Sequence, residues 1–256
     1  MTGVRLVLHQ ARYDLRAFFR NPAAVFFTAA LPVIFLVVFV GIFGNEVDET
    51  RGIKLSTYYV PGILALAVIS ATFVNLAISL TTLREDGVLK RLRGTPLPTW
   101  VFIAARVLQS FVISAIIVTV LGLIGLVFYG VELPVRSAPA FVVTLLVGAA
   151  AFSCLGFAVL ALIPSEEAAP AVTNAVVLPI YFISGIFFTV DEAPAWMRSV
   201  ASFFPVRHFS QALLNAFTAA PGTSGWSGAD LLNLAIWGAV GATVGLRTFR
   251  WTPRSH

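Results

Sequence analysis

Charge is what this sequence has least of. Only 11% of its 256 residues are Asp, Glu, Lys or Arg, against 58% hydrophobic, and the mean hydropathy is +0.90. A soluble domain carries about 25% charged residues. This chain lacks the polar material to coat a globule, so its solvent is mostly lipid. Cysteine is nearly missing too. Cys154 stands alone in an apolar run, which excludes an intrachain disulfide and a cysteine-built metal site. It reads as small apolar filler in a helix. Lysine occurs only as Lys54 and Lys90, which follow Ile53 and Leu89. A P-loop needs Gly-Lys followed by Ser or Thr, so no ATP site of that kind is encoded and no cofactor is expected. His9, His208 and His256 have no partners at metal-ligand spacing. The net charge of +5 comes from basic residues that flank apolar runs. That pattern fits a bilayer surface and not nucleic acid.

What is present is a series of long apolar runs. Six helical spans are predicted near 24–43, 58–81, 102–129, 139–163, 169–189 and 231–247. Each approaches the ~20 residues that cross ~30 Å of hydrocarbon. Lipid offers no backbone partners, and no alternating barrel pattern occurs, so the expectation is an all-α membrane protein. Residues 4–20 predict an amphipathic helix ahead of the spans. Val4, Val7, Leu8, Ala11, Leu15, Phe18 and Phe19 recur at helical spacing, and Arg5, His9, Arg12, Arg16 and Arg20 share a second face. Such a helix lies in the interface, and Asn21-Pro22 ends it. The first apolar run has no Ala-x-Ala exit, so it is expected to stay as an anchor. The division is an interfacial helix over 1–22 and a transmembrane domain over 23–256.

The segment 190–228 holds Trp196, Phe203, Phe204, Phe209, Leu213 and Phe217 around Pro205. That is too apolar for a solvated loop. It reads as two short helices, about 193–203 and 207–218, dipping into the outer leaflet without crossing, with His208 as an interfacial polar residue. With the N-terminus in the cytoplasm, Arg51, Lys54, Arg136, Arg198 and Arg207 fall outside, and the other twelve of the seventeen Lys and Arg residues fall inside. Both termini are therefore expected in the cytoplasm of a prokaryotic plasma membrane.

The spans themselves hold almost no charge. Arg106 is expected to snorkel from the inner end of the third. A charge at mid-membrane costs roughly 2.5–3.5 kcal/mol on insertion scales and is kept for a purpose, often ion coupling. Its absence argues that driving energy enters from elsewhere. Asn75, Asn174 and Ser184 are polar groups within spans, suited either to lining a substrate path or to bonding between helices. Pro179 invites a kink, beside which Tyr181, Phe182, Phe187 and Phe188 are placed to border a route for an amphiphilic cargo.

The most charged inner connector runs from Arg84 to Pro98 and includes Glu85, Asp86, Gly87, Leu89, Lys90, Arg91, Leu92, Arg93, Thr95 and Pro96. It is longer than a crossing between two helices needs. It reads as a small surface helix presenting a face to something soluble, bracketed by Gly87 and Gly94. An Arg-Glu-x-Gly-x-Leu-x-Arg-Leu-x-x-Thr-Pro-Leu pattern is met by Arg84, Glu85, Gly87, Leu89, Arg91, Leu92, Thr95, Pro96 and Leu97. A second pattern is Ser184-Gly185-Ile186-Phe187-Phe188, then Pro194-x-Trp196 and Phe204-Pro205-x-x-His208. In order and position, both resemble ABC-2-type transporter permeases, in particular the drug-exporter branch with daunorubicin-resistance membrane subunits. The resemblance implies two permease subunits, identical or homologous, paired with two ATPase subunits that carry ATP and magnesium. It implies that 84–98 is a coupling helix seated in the ATPase, that the 4–20 helix lies beside it, and that the cargo is hydrophobic or amphiphilic and moves outward. Other readings are a membrane scaffold or insertase partner, and an intramembrane serine protease using Ser184 and His208. The protease is disfavoured because Phe182 and Ile183 stand where a glycine is needed.

Overall fold

The computed structural model describes residues 3–43, 46–48, 52–187, 194–220 and 222–249. The chain is a helical multi-pass membrane protein. Helix α1 (Gly3–Phe19) stops where expected, and α2 (Pro22–Phe43) starts at once. Asn21 is its N-cap: its Oδ1 accepts from the Ala24 amide at 3.1 Å, with Pro22 at the first helical position. A two-residue antiparallel ribbon follows, β1 (Val47–Asp48) with β2 (Ile53–Lys54), paired Val47 to Lys54. Helix α3 (Leu55–Glu85) is continuous over 31 residues, more than the ~20 that a span needs. Next come α4 (Val88–Arg93), α5 (Thr99–Tyr129) and α6 (Ala138–Val159). The last four are α7 (Ala168–Ile183), α8 (Ala195–Phe203), α9 (Pro205–Phe217) and α10 (Gly228–Thr248).

Five of these, α2, α3, α5, α6 and α10, are long and apolar enough to cross a membrane. The expected fifth span, 169–189, is shorter as a helix. Helix α7 ends at Ile183, and the chain turns at Ser184-Gly185. Sixteen residues at 1.5 Å each give about 24 Å, less than a full hydrocarbon thickness.

Helix α3 is the axis. Ile63 through Ile69 are all at most 2% exposed, enclosed by α2, α5, α6 and α9. Two π-turns interrupt otherwise regular helices, Phe26–Ala30 in α2 and Ser70–Val74 in α3. Each inserts one residue into the ladder and rotates the faces on either side of it.

Another seam, between α6 and α10, is packed by close approach. Helix α10 runs along α6 on Gly238, Gly241 and Gly245. A Cβ on Gly241 would stand 2.8 Å from the Leu155 nitrogen and 2.9 Å from the Cys154 carbonyl carbon. Small residues that let backbones meet are how helices associate in lipid, where no hydrophobic drive exists between them. This stripe compensates for α10 being the least apolar span.

Helices α8 and α9 form a hairpin around Phe204-Pro205 that reaches into the bundle without crossing it. At one end of α9, Phe217 meets Phe141 (5.5 Å between ring centroids) and Ala216 accepts a hydrogen bond from Ser137, the residue before α6. At its other end, Phe209 covers Gly148 and Phe152, well inside α6. Trp237, near the middle of α10, donates from Nε1 to the Phe203 carbonyl at 3.0 Å and stacks on Phe204.

Candidate functional site

At the end of the bundle opposite Ser137, the α3–α4 elbow is built from a buried half and an exposed half. Leu89 is 1% exposed and packs, with the partly buried Leu92 and Leu97, into a small second core with Phe102 and Leu160. That leaves Asp86, Lys90, Arg91, Arg93, Thr95 and Pro96 exposed. Lys90, Arg91 and Arg93 have no carboxylate partner among the described residues. Gly87 takes φ +69, the left-handed conformation that lets the chain stop α3 and begin α4 within two residues. Its role is to terminate a helix. Thr95 closes the far end by donating to the Leu92 carbonyl at 2.7 Å.

Arg84 departs from the expected outward-facing set. It is 3% exposed and turned into the protein. Its Nη1 and Nη2 donate to the carbonyls of Leu160 (3.2 Å) and Ile163 (2.9 Å), and its Nε to Glu85 (2.7 Å). Leu160 caps the C-terminal end of α6, where a cation is favoured, and Ile163 lies in the turn that follows. Thr82 adds a bond to Glu166 at 3.1 Å. The last turn of α3 is thus tied to the connector between α6 and α7. A guanidinium planted beside a run of charges reads from sequence as part of the charged surface, and nothing local marks it as a clasp.

Helix α1 packs along α5. It buries Ala11, Asp14 and Phe18, while Arg5, Arg12, Arg16 and Arg20 are exposed. Ala11 and Phe18 therefore face protein, not acyl chains. Asp14 meets Arg106 Nη2 at 3.2 Å and accepts from Gln10 at 3.0 Å. Burial pushes the Asp14 carboxyl up from its usual range, against the pull of Arg106 and Gln10. Arg106 is 8% exposed and also reaches Gln109 at 3.3 Å, so it is held in the α1–α5 seam and does not snorkel. The signal for this pair was a lone acid inside a basic helix.

A cavity of about 320 Å³ lies between α2, α3 and α7, within the size range of small-ligand sites. Asn75, Asn174, Tyr181, Phe182 and Phe187 all line it. The α7 turn seats Phe187 against Phe35, Phe39 and Phe182 at 5.2–5.5 Å, and Tyr58 donates to the Gly185 carbonyl at 2.5 Å to hold that turn. Phe188 lies outside the described residues. Ser184 is not in the wall. It is 1% exposed, and its hydroxyl has no hydrogen-bond partner. The cavity also takes Thr28 and Ser70 from the two π-turns. Sequence reasoning missed both, because a single inserted residue leaves no mark in a run that is apolar throughout.

In the hairpin, Trp196 and Phe203 are exposed (66% and 63%), Phe204 is half-buried and Pro205 is buried at the start of α9. His208 bridges Asp230 (2.6 Å) and the Ser202 carbonyl (2.8 Å). With both ring nitrogens of His208 engaged elsewhere and the Ser184 hydroxyl unpartnered, these two residues form no serine–histidine pair.

A profile of the ABC-2 type transporter family matches residues 6–218. The chain is 28% identical over 218 residues to the daunorubicin resistance ABC transporter permease protein DrrB1 of Streptomyces coeruleorubidus, covering 82% of this chain and 74% of that one. It is 22% identical over 200 residues to the putative transport permease YvfS of Bacillus subtilis, covering 78% and 80%. It is also 22% identical to the inner membrane transport permease YadH of Escherichia coli, covering 68% and 67%.

Proposed function

The chain belongs to the ABC-2 type transporter family, and on that premise we propose that it is the permease subunit of an exporter driven by a separate ATPase. Two copies, or one copy and a homologue, face each other and bind two ATPase subunits, which hold ATP and magnesium. Six spans, counting the short α7, put both termini in the cytoplasm, with α1 lying in the inner interface. The cargo is hydrophobic or amphiphilic: a drug, a polyketide-like product or a lipid. It moves outward through the α2–α3–α7 cavity.

The observation that carries this reading is that cavity. Its aromatic and aliphatic walls hold a few neutral amides and hydroxyls and no ionisable acid or base that would couple to an ion gradient. Such a lining suits an amphiphile and gives a small ion no compensation for its lost water. The elbow supplies the route for work. Its exposed cations form the face offered to the ATPase, and its leucines anchor α4 to the bundle. Displacement of the elbow passes through Arg84 and Thr82 to the 160–167 connector, hence to α7, which forms one wall of the cavity. Nucleotide binding shifts the equilibrium only through contacts that differ between two states.

The test is a pull-down. Lys90→Glu, Arg91→Glu and Arg93→Glu together should weaken capture of the co-expressed ATPase while membrane insertion persists. Unchanged capture would remove the elbow from the docking surface. Orientation is checked in a Cys154→Ala background. A cysteine replacing Lys54 should react with an impermeant reagent from outside, and one replacing Thr95 should not.

A further inference from the structure

A shallow groove of about 570 Å³ runs between α1 and α5 and shares no lining residue with the cavity. Its floor is apolar: Leu15 and Phe19 from α1, Leu108 and Val112 from α5. One rim is a row of three arginines, Arg12, Arg16 and Arg20. At intervals of four they stack on one side of the helix. All three are exposed, and no carboxylate pairs with them among the described residues. The one acid of α1, Asp14, is turned the other way and is held by Arg106. Phe19, on the groove, is 56% exposed. Cationic rim and bare apolar floor therefore lie side by side, one turn of helix apart.

The groove serves no part of the transport reading. A water-soluble anion would satisfy the rim and leave the floor wet. A neutral lipid would cover the floor and leave three guanidiniums unmatched. We propose that this groove is a binding site for one anionic phospholipid, with its phosphate on the arginine row and an acyl chain along Leu108 and Val112. The helix is then a clamp on a lipid as well as a float in the interface. The seam that orients it is the buried Asp14–Arg106 pair, which fixes which side of α1 faces the groove.

The test places a reporter on the floor and leaves the arginines alone. Leu108→Trp is purified as full chain in neutral detergent and titrated with dibrominated phosphatidylglycerol or dibrominated phosphatidylcholine. An arginine near an anionic surface is worth roughly fivefold in affinity. Half-quenching of the added tryptophan signal should need about tenfold less phosphatidylglycerol than phosphatidylcholine. Adding Arg12→Gln, Arg16→Gln and Arg20→Gln should erase that preference. Removing an equal charge at Arg5, Arg91 and Arg93 should not. If the triple variant fails to fold, the comparison of headgroups on the single variant still decides. Equal quenching by both lipids would overturn the proposal. So would no quenching by either, which would mean that protein covers the groove. Loss of phosphatidylglycerol quenching on adding millimolar inorganic phosphate would also overturn it, since the site would then hold a free anion.

Discussion

Two regions of the bundle are packed by different rules. Where α10 meets α6 the contacts are backbone on backbone, and Gly241 leaves no room for a single carbon. Between α2, α3 and α7, with π-turns in α2 and α3, the helices leave a cavity of about 320 Å³. Close-packed interiors transmit displacement and resist deformation. Void-lined walls have lost contacts and shift at lower cost. The α6–α10 seam is a frame and the cavity lining a wall, and the Arg84 clasp joins the charged elbow to the connector between α6 and α7.

The comparison breaks most visibly at the frame. Gly241→Leu drives a side chain into the Cys154–Leu155 backbone. Overpacking costs 1–3 kcal/mol in ordinary cores and more where backbone cannot yield. The loss expected here is ~3 kcal/mol or more, a drop of about 6–12 °C in the melting midpoint of the solubilised protein. Thr28→Ala, in a π-turn of the wall, should shift it by less than ~1 kcal/mol. Equal effects would dissolve the distinction.

Second is the α1–α5 seam. Arg106→Gln leaves Asp14 buried without its cation, a loss of ~3 kcal/mol at neutral pH. The Asp14 carboxyl is already raised by burial. A raised acid is favoured in its neutral form, so the deficit is present above the folded-state pKa and shrinks as pH falls through it. Asp14→Asn strands the buried Arg106 guanidinium in turn and should cost a comparable amount, without the recovery at low pH. A pH-independent deficit in Arg106→Gln would show that the carboxylate is not what is stranded.

Third is the clasp. Arg84→Gln removes charged donors from the Leu160 and Ile163 carbonyls, at the cap of α6 and in the turn after it. With the ATPase bound, nucleotide hydrolysis should stay near the wild-type rate while cargo transport falls about tenfold, roughly 1.4 kcal/mol of lost coupling. Arg84→Lys should recover part of it. A parallel fall in both rates would mean damage to docking and not to transmission. The smallest effect is at the wall. Asn174→Leu removes one exposed amide from the cavity and should change transport of a polar amphiphile by a few-fold, and of an apolar dye by less.

Much of this was legible in the sequence, and the failures share a cause. Long apolar runs, the Asn21-Pro22 break and the aromatic segment around Pro205 are local signals with a period or a breaker, and the helices follow them. Asn75, Asn174, Tyr181, Phe182 and Phe187 stand out as polar or aromatic residues in apolar runs, and they converge on one cavity. Arg84 and Arg106 turn inward where the sequence suggested water, because a charged residue at the end of a span looks the same whether it points to water or to a buried partner such as Asp14. The glycine spacing of α10, at 238, 241 and 245, was on the page and went unread, since a weak span directs attention to what it lacks. The π-turns carry no sequence mark.

The central claim is that this permease is driven from outside itself. Reconstitute it in sealed inside-out vesicles, with and without the ATPase, and follow uptake of an amphiphilic dye. Uptake is expected only when both the ATPase and ATP are present, with no response to a proton or sodium gradient. Uptake driven by an ion gradient in vesicles that contain this chain alone would contradict it.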